Sequence, residues 1–117
     1  MRYSLVVDNH LFIGTEEKLL YLIDTQSFEV VDRIQTQSYI FSIAKINKTT
    51  IVCGQYQGYV DVLKVSKTRQ LVKLSEQKLL TGNIYKIIET ERPDEFAFGC
   101  GNGMFFASFD GERFKAG

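Results

Sequence analysis

Residues 51–63 have the sequence IVCGQYQGYVDVL, two short apolar runs joined by a turn that begins at Gly54. The same arrangement surrounds Gly14 and Gly99, where the apolar tripeptides LFI and FAF precede the glycine and a second apolar run begins five residues after it. The three glycines are 40 and 45 residues apart. A period of this length is typical of a repeat in which each copy is one supersecondary unit. The chain is therefore predicted to contain three copies of one strand–turn–strand unit.

The other apolar runs are also short, and Gly, Asn, Asp or Ser bounds them, which is typical of strands. β-branched and aromatic residues fill the runs, as a half-buried pleated surface favours. The closest approach to a helical period is at 71–80, but Gly82-Asn83 follows it at once. We predict twelve strands in three sets of four, at 3–7, 11–14, 19–24 and 28–34, at 39–46, 50–54, 59–65 and 70–74, and at 84–89, 95–99, 104–109 and 112–115.

The segment from Gly54 to Leu63 resembles the part of a WD-repeat blade that extends from its glycine to its Trp-Asp pair. The segment from Gly14 to Asp24 resembles it too, with Ile23 at the tryptophan position. In the third copy, Asn102-Gly103 stands where the family prefers Asp-Gly. Upstream of the second and third glycines, the segments IFSI (40–43) and IYKI (84–87) match each other and resemble the inner strand of the family.

This resemblance implies an all-β fold of consecutive four-stranded antiparallel meanders, three blades of a WD-like β-propeller, in one segment covering 1–117. The blades are expected at about 3–34, 39–78 and 84–117, and a β-sandwich is the alternative. The chain has no tryptophan and no Gly-His pair, so the His, Asp, Ser/Thr and Trp tetrad of typical WD repeats is not expected. Closed propellers have about four to eight blades. Three blades therefore predict part of a longer propeller, or a homo-oligomer that completes the ring.

The charges of the chain balance, with 14 Lys plus Arg and 14 Asp plus Glu, so there is no overall electrostatic footprint for nucleic acid or acidic lipid. Basic residues between 64 and 78 alternate with apolar ones, which favours the solvated side of an edge strand over a phosphate-binding surface. The first apolar run is too short for a signal peptide. No run approaches the roughly 20 apolar residues of a membrane span. We expect a cytoplasmic or nuclear protein with no membrane partner.

The sequence gives little support for catalysis. A single histidine excludes a two-histidine metal site. The glycine-rich segment 99–103 precedes a strand, whereas a phosphate-binding loop needs a helix N-terminus after it, so a hairpin turn is predicted there. Cys53 and Cys100 flank equivalent glycines in neighbouring repeats, too far apart for the Cα spacing of about 7 Å that a disulfide needs, and are expected to be reduced and buried. We predict a protein that is not an enzyme, with no catalytic residues, metal or cofactor.

Tyrosines give the clearest indication of a binding surface. Four of them lie at or beside the loops before the first strand and between the second and third strands: Tyr39, Tyr56, Tyr59 and Tyr85. In a propeller these loops emerge on one face, and tyrosine is enriched at binding hot spots. The alternative is that Tyr39, Tyr59 and Tyr85 pack between blades. The predicted partner-binding residues are Tyr39, Tyr56, Gln57, Asn83, Tyr85 and Asn102.

The predicted function is that of a non-catalytic scaffold or adaptor that binds protein partners, by analogy at the level of the fold. One alternative is a small-ligand-binding or enzymatic propeller that uses the central channel. That alternative requires polar residues converging from several blades, whereas the inner strands offer mainly isoleucines. The other alternative is a subunit of a nucleic-acid-associated complex, which predicts binding that weakens steeply with salt.

Overall fold

The structure is a computed structural model that describes residues 3–101 and 103–116. This part of the chain contains twelve strands and one three-residue 3-10 turn, Tyr56–Gly58. The strands are β1 (Tyr3–Val7), β2 (His10–Gly14), β3 (Leu19–Asp24), β4 (Val30–Gln35), β5 (Ile40–Lys45), β6 (Thr50–Gln55), β7 (Tyr59–Val65), β8 (Leu71–Lys78), β9 (Ile84–Glu89), β10 (Glu95–Cys100), β11 (Gly103–Phe109) and β12 (Phe114–Ala116). Each overlaps one predicted strand, and β8 occupies the region where a helical period came closest.

The strands form three four-stranded sheets, each with its strands in chain order. All neighbours pair antiparallel, so each sheet is a meander. We call β1–β4 blade 1, β5–β8 blade 2 and β9–β12 blade 3. The first strands of the blades lie beside one another, β1 against β5 and β5 against β9, and are therefore the inner strands. The all-β prediction of three propeller blades is confirmed, in place of the two facing sheets of a sandwich.

The repeated glycines occupy equivalent positions, each paired with the inner strand on one side and the third strand on the other. A Cβ atom on Gly14 would lie 2.9 Å from the Ile40 side chain, and one on Gly54 would lie 2.5 Å from Ile84. Glycine is therefore required where the inner strand of the next blade packs against the second strand. A Cβ on Gly99 would meet no atom closer than 3.7 Å.

The apolar core consists of two clusters, one at each junction between neighbouring blades. At the junction of blades 1 and 2 the fully buried side chains include Phe12, Leu20, Leu22, Ile51 and Leu63. At the junction of blades 2 and 3, three rings pack edge to face: the Phe114 centroid lies 5.1 Å from Phe98 and 5.6 Å from Phe96. Such aromatic pairs add stability beyond the area they bury.

Blade 2 contains a network of buried polar side chains around Asp61 and Gln55. The Asp61 carboxylate accepts hydrogen bonds from the Gln37 backbone N–H at 3.1 Å and from its side-chain amide at 2.6 Å. The Lys73 ammonium lies 3.5 Å from the same carboxylate. The buried amide oxygen of Gln55 accepts the Ser38 N–H at 2.7 Å. Burial raises the pKa of the Asp61 carboxyl above its ordinary value, against the lowering effect of Lys73 and Gln37. This network holds the β4–β5 loop against blade 2.

Both cysteines are free thiols, as predicted. Cys53 is fully buried, and this burial raises the pKa of its thiol above the usual range. The prediction of a buried Cys100 is wrong, because this side chain is half-exposed. Cys100 is the last residue of β10, beside the hairpin turn to β11, and it is paired with the first residues of β9 and β11, Ile84 and Gly103. Gly103 has no side chain that could cover it.

Candidate partner-binding surface

Five aromatic side chains from all three blades meet on the surface, and we call them the aromatic cluster: Tyr3, Tyr39, Phe41, Tyr56 and Tyr85. Phe41 is at the centre, with its ring centroid 6.5 Å from Tyr3, 6.3 Å from Tyr56 and 5.5 Å from Tyr85. The Tyr39 and Tyr56 centroids are 6.2 Å apart. Most of these pairs are edge-on, the arrangement that the ring quadrupoles prefer.

Two β-bulges direct Phe41 and Tyr85 to this surface. The pairing of β5 with β6 skips Phe41, and the pairing of β9 with β10 skips Tyr85. A bulge inserts an unpaired residue and re-aims its side chain. The preceding residues, Ile40 and Ile84, are buried between blades, whereas Tyr85 is 54% exposed. The same irregularity in two repeats therefore places an aromatic ring outside the core.

Hydrogen bonds connect three loops of this surface, which join β4 to β5, β6 to β7 and β8 to β9. Gln57 has a left-handed backbone with φ 62°, and its N–H donates to the Asn83 side-chain oxygen at 2.8 Å. The Asn83 amide in turn donates to the Tyr85 hydroxyl at 3.0 Å. The Tyr56 N–H donates to the Tyr39 carbonyl at 2.9 Å. The three loops therefore form one connected surface.

Gly58 fixes the turn that carries Tyr56. Its φ is +85°, a region that favours glycine. Its carbonyl accepts the Leu79 N–H at 2.9 Å. A Cβ atom there would lie 1.7 Å from the Leu80 carbonyl oxygen, so only glycine allows the β8–β9 loop to pack so closely.

The structure brings together five of the six predicted partner-binding residues: Tyr39, Tyr56, Gln57, Asn83 and Tyr85. The sixth, Asn102, lies outside the described residues. Tyr39 is 44% and Tyr85 54% exposed, so neither of them is buried between blades. Tyr59 lies elsewhere, half-buried, with the Lys78 ammonium 5.4 Å from its ring centroid.

The sequence-based prediction of partner-binding residues did not include two members of the aromatic cluster, Phe41 and Tyr3. Phe41 stands at the same repeat position as Tyr85 in the matching segments 40–43 and 84–87, and this equivalence was a usable signal. Tyr3 had no such signal. Its contribution depends on β1 lying beside β5, which is a property of the assembled blades.

A cleft of about 280 Å³ opens beside the aromatic cluster, lined by Tyr3, Glu16, Tyr39, Ile40 and Phe41. The Lys18 ammonium lies 4.9 Å from the centroid of the Tyr39 ring, a distance at which a ring face attracts a cation. The cleft is thus lined mainly by aromatic rings and Ile40, with a cation beside one ring, and this lining suits an apolar side chain.

Most cations of the basic stretch 64–78 have partners within the chain. Arg69 forms an ion pair with Asp24 at 2.6 Å, and Lys73 lies 3.5 Å from Asp61. Lys78 lies over the Tyr59 ring. These internal partners favour a solvated edge strand over a continuous basic surface for nucleic acid.

Within residues 3–101 and 103–116, no group of three or more His, Cys, Asp or Glu side chains is placed to hold a metal ion. No helix in those residues has the length and apolar character needed to cross a membrane.

Ser42 of the inner strand β5 is buried, and its hydroxyl donates to the Ile84 carbonyl of blade 3 at 3.0 Å. This hydroxyl therefore connects two blades.

No protein-family model matches the sequence, and no curated protein matches it either. Solved structures do match. A chain of the mitotic checkpoint complex matches 92% of this chain with a TM-score of 0.79 at 11% identity. The WD40 repeats of RRP9 match 86% with a TM-score of 0.70 at 18% identity. The computationally designed protein Ika4 matches 91% with a TM-score of 0.72 at 16% identity.

These matches establish the fold. Together with the three meander sheets, they show an all-β chain with the architecture of WD40-type β-propeller blades. The chain spans 35% of the checkpoint-complex chain, 34% of the RRP9 chain and 64% of the Ika4 chain. It thus corresponds to about a third of the two natural propeller chains.

Proposed function

We propose that this chain is a non-catalytic interaction scaffold that binds protein partners through the aromatic cluster. The observation that carries the proposal is the meeting of five aromatic side chains from three blades on one exposed surface. Tyrosine combines a large apolar face with a polar tip, and it is enriched at the hot spots of protein interfaces. Isolated exposed apolar residues are normal on any surface, but a contiguous group indicates an interaction site.

The rigidity of the loops supports this role. Hydrogen bonds from Gln57 to Asn83 and from Asn83 to Tyr85 hold the side chains in place before a partner arrives. The close fit of Gly58 against Leu80 holds the turn beneath them. A surface that is already ordered loses less conformational entropy on binding, which favours affinity.

The cleft beside the aromatic cluster indicates the chemistry of the partner. A peptide segment that inserts an apolar side chain would place it against Tyr3, Ile40 and Phe41. The Lys18 ammonium beside the Tyr39 ring disfavours a second cation there, because like charges repel. The WD40-type propellers that the chain matches fit a protein-interaction role in general.

Affinity capture with matched variants tests the proposal. The immobilised chain is exposed to an extract of the source cells beside the double variant Tyr39→Ser, Tyr85→Ser. The control is Phe28→Ser, which removes an aromatic side chain that is 74% exposed in the β3–β4 turn, outside the aromatic cluster. We expect the parent and the control to retain the same proteins and the double variant to lose them. Equal retention by all three would contradict the proposal.

A further inference from the structure

The face of blade 3 that points away from blade 2 is apolar, and no other blade among residues 3–101 and 103–116 covers it. Ile88, Ala97 and Phe106 are paired across β9, β10 and β11 and form one row on this face. Met104 is paired with Gly99 in the next row. Ile88 is 43%, Phe106 47% and Met104 56% exposed, whereas the small Ala97 between Ile88 and Phe106 is buried. This face is distinct from the aromatic cluster and has no part in the proposed function.

The equivalent face of blade 2 is covered by the next blade, and its residues can be compared with those of blade 3. Val52 and Val62 are paired there as Ala97 and Phe106 are in blade 3, and both are fully buried under the next blade. Gly54 on the same face admits Ile84 of that next blade. Gly99 leaves the same space beside its backbone without an occupant among the described residues. The outward face of blade 3 can therefore bind another blade in the way that blade 2 binds blade 3.

Blade 1 carries a face of that complementary kind. Val6, Leu11, Ile23 and Val30 are paired in one row across its four strands, on the side away from blade 2. Val6 is 61% and Val30 56% exposed. In blade 2, Ile51 and Leu63 hold the repeat positions of Leu11 and Ile23, and both are buried against the preceding blade.

We propose that the outward face of blade 3 binds the outward face of blade 1 in a second copy of the chain, head to tail. Two copies of the 117-residue segment supply six blades, a number within the about four to eight of closed propellers. Two copies then close a six-bladed ring with two identical junctions related by a two-fold axis.

The number of junctions also favours the closed dimer. Stable protein interfaces bury about 1,200 Å² or more in total. A closed dimer buries two junctions at once, so each needs to supply only about half of that area. The two faces are unlike each other, so head-to-head pairing would place two uncovered glycine-containing faces together and leave both blade 1 faces in water.

Sedimentation equilibrium of the 117-residue chain tests the proposal. We expect a species of twice the 13.4 kDa monomer mass at micromolar concentration. A monomer throughout the micromolar range, or growth into polymers without a limiting size, would overturn the proposal.

Charge variants test the direction of the pairing. Phe106→Glu and Val6→Lys alter exposed positions on opposite faces, and each is expected to shift the dimer to monomer, whereas the control Phe28→Glu leaves it unchanged. Mixing the two variants in equal amounts restores a dimer, because one junction is then native and the other joins opposite charges. Failure of the mixture to dimerise would overturn head-to-tail pairing. Circular dichroism confirms that each variant folds, and Met104→Glu with Val30→Lys replaces the pair if one does not.

Discussion

At the scale of single residues, the buried carboxylate of Asp61 is an acceptor for hydrogen bonds inside blade 2. Asp61 accepts two hydrogen bonds from Gln37 and faces the Lys73 ammonium. In the Asp61→Ala variant the Gln37 backbone N–H loses its acceptor, whereas the Gln37 amide keeps the Val60 carbonyl and Lys73 keeps Glu76. A buried donor left without an acceptor costs about 1–3 kcal/mol. Urea unfolding measures the loss, with the exposed Glu29→Ala as control, for which a change below about 0.5 kcal/mol is expected. Equal effects of the two substitutions would contradict the role of Asp61.

A second residue-scale prediction concerns pH. The Asp24 carboxylate accepts the Ser27 and Gln26 N–H groups and faces Arg69, and these contacts lower its pKa to about 2. Between its ordinary pKa of 3.8 and about 2, the unfolded chain binds more protons than the folded one. The stabilisation from Asp24 is therefore present above that window and is lost as the pH falls through it.

The Asp24→Asn variant isolates this contribution. The difference in free energy of unfolding between parent and variant is expected to be constant near neutral pH and to shrink as the pH falls below about 4. Urea titrations at several pH values measure it. A difference that grows with acid would show that the carboxylate is not held ionised by the fold.

At the scale of elements, the repeated glycine has a different role at an occupied and at an open blade face. Gly54→Ala forces a Cβ against Ile84 and Ser42 and is expected to cost about 1–3 kcal/mol. Gly99→Ala meets no close atom, so it is expected to change the stability of the monomer by less than about 1 kcal/mol. Thermal unfolding of both variants in the monomeric Phe106→Glu background measures the contrast. Similar losses at both glycines would contradict the assignment of the two faces.

The strands were predictable because each satisfies a local rule. Short β-rich runs bounded by turn residues identify a strand, and the repeat at Gly14, Gly54 and Gly99 identifies the unit. The bulges at Phe41 and Tyr85 were not predictable, because a one-residue shift of register depends on the partner strand rather than on local composition. The exposure of Cys100 was missed for a related reason, since it depends on where β10 ends.

At the scale of the whole molecule, the arrangement of blades brings together residues that are far apart in the chain. The prediction that Tyr39, Tyr56 and Tyr85 share a face followed from the order of loops in a propeller, and the structure places them there. The hydrogen bonds from Gln57 through Asn83 to Tyr85 were beyond the reach of sequence reasoning, because they require the exact separation of two blades.

The central claim is that partners bind at the aromatic cluster, and site-specific photocrosslinking in the source cells tests it most directly. The photoreactive residue p-benzoylphenylalanine replaces Tyr85 in one version of the chain and Phe28 in another, both at exposed aromatic positions. We predict that irradiation links the chain to a discrete protein from position 85 and not from position 28. The same crosslinked proteins from both positions, or none from position 85, would contradict the claim.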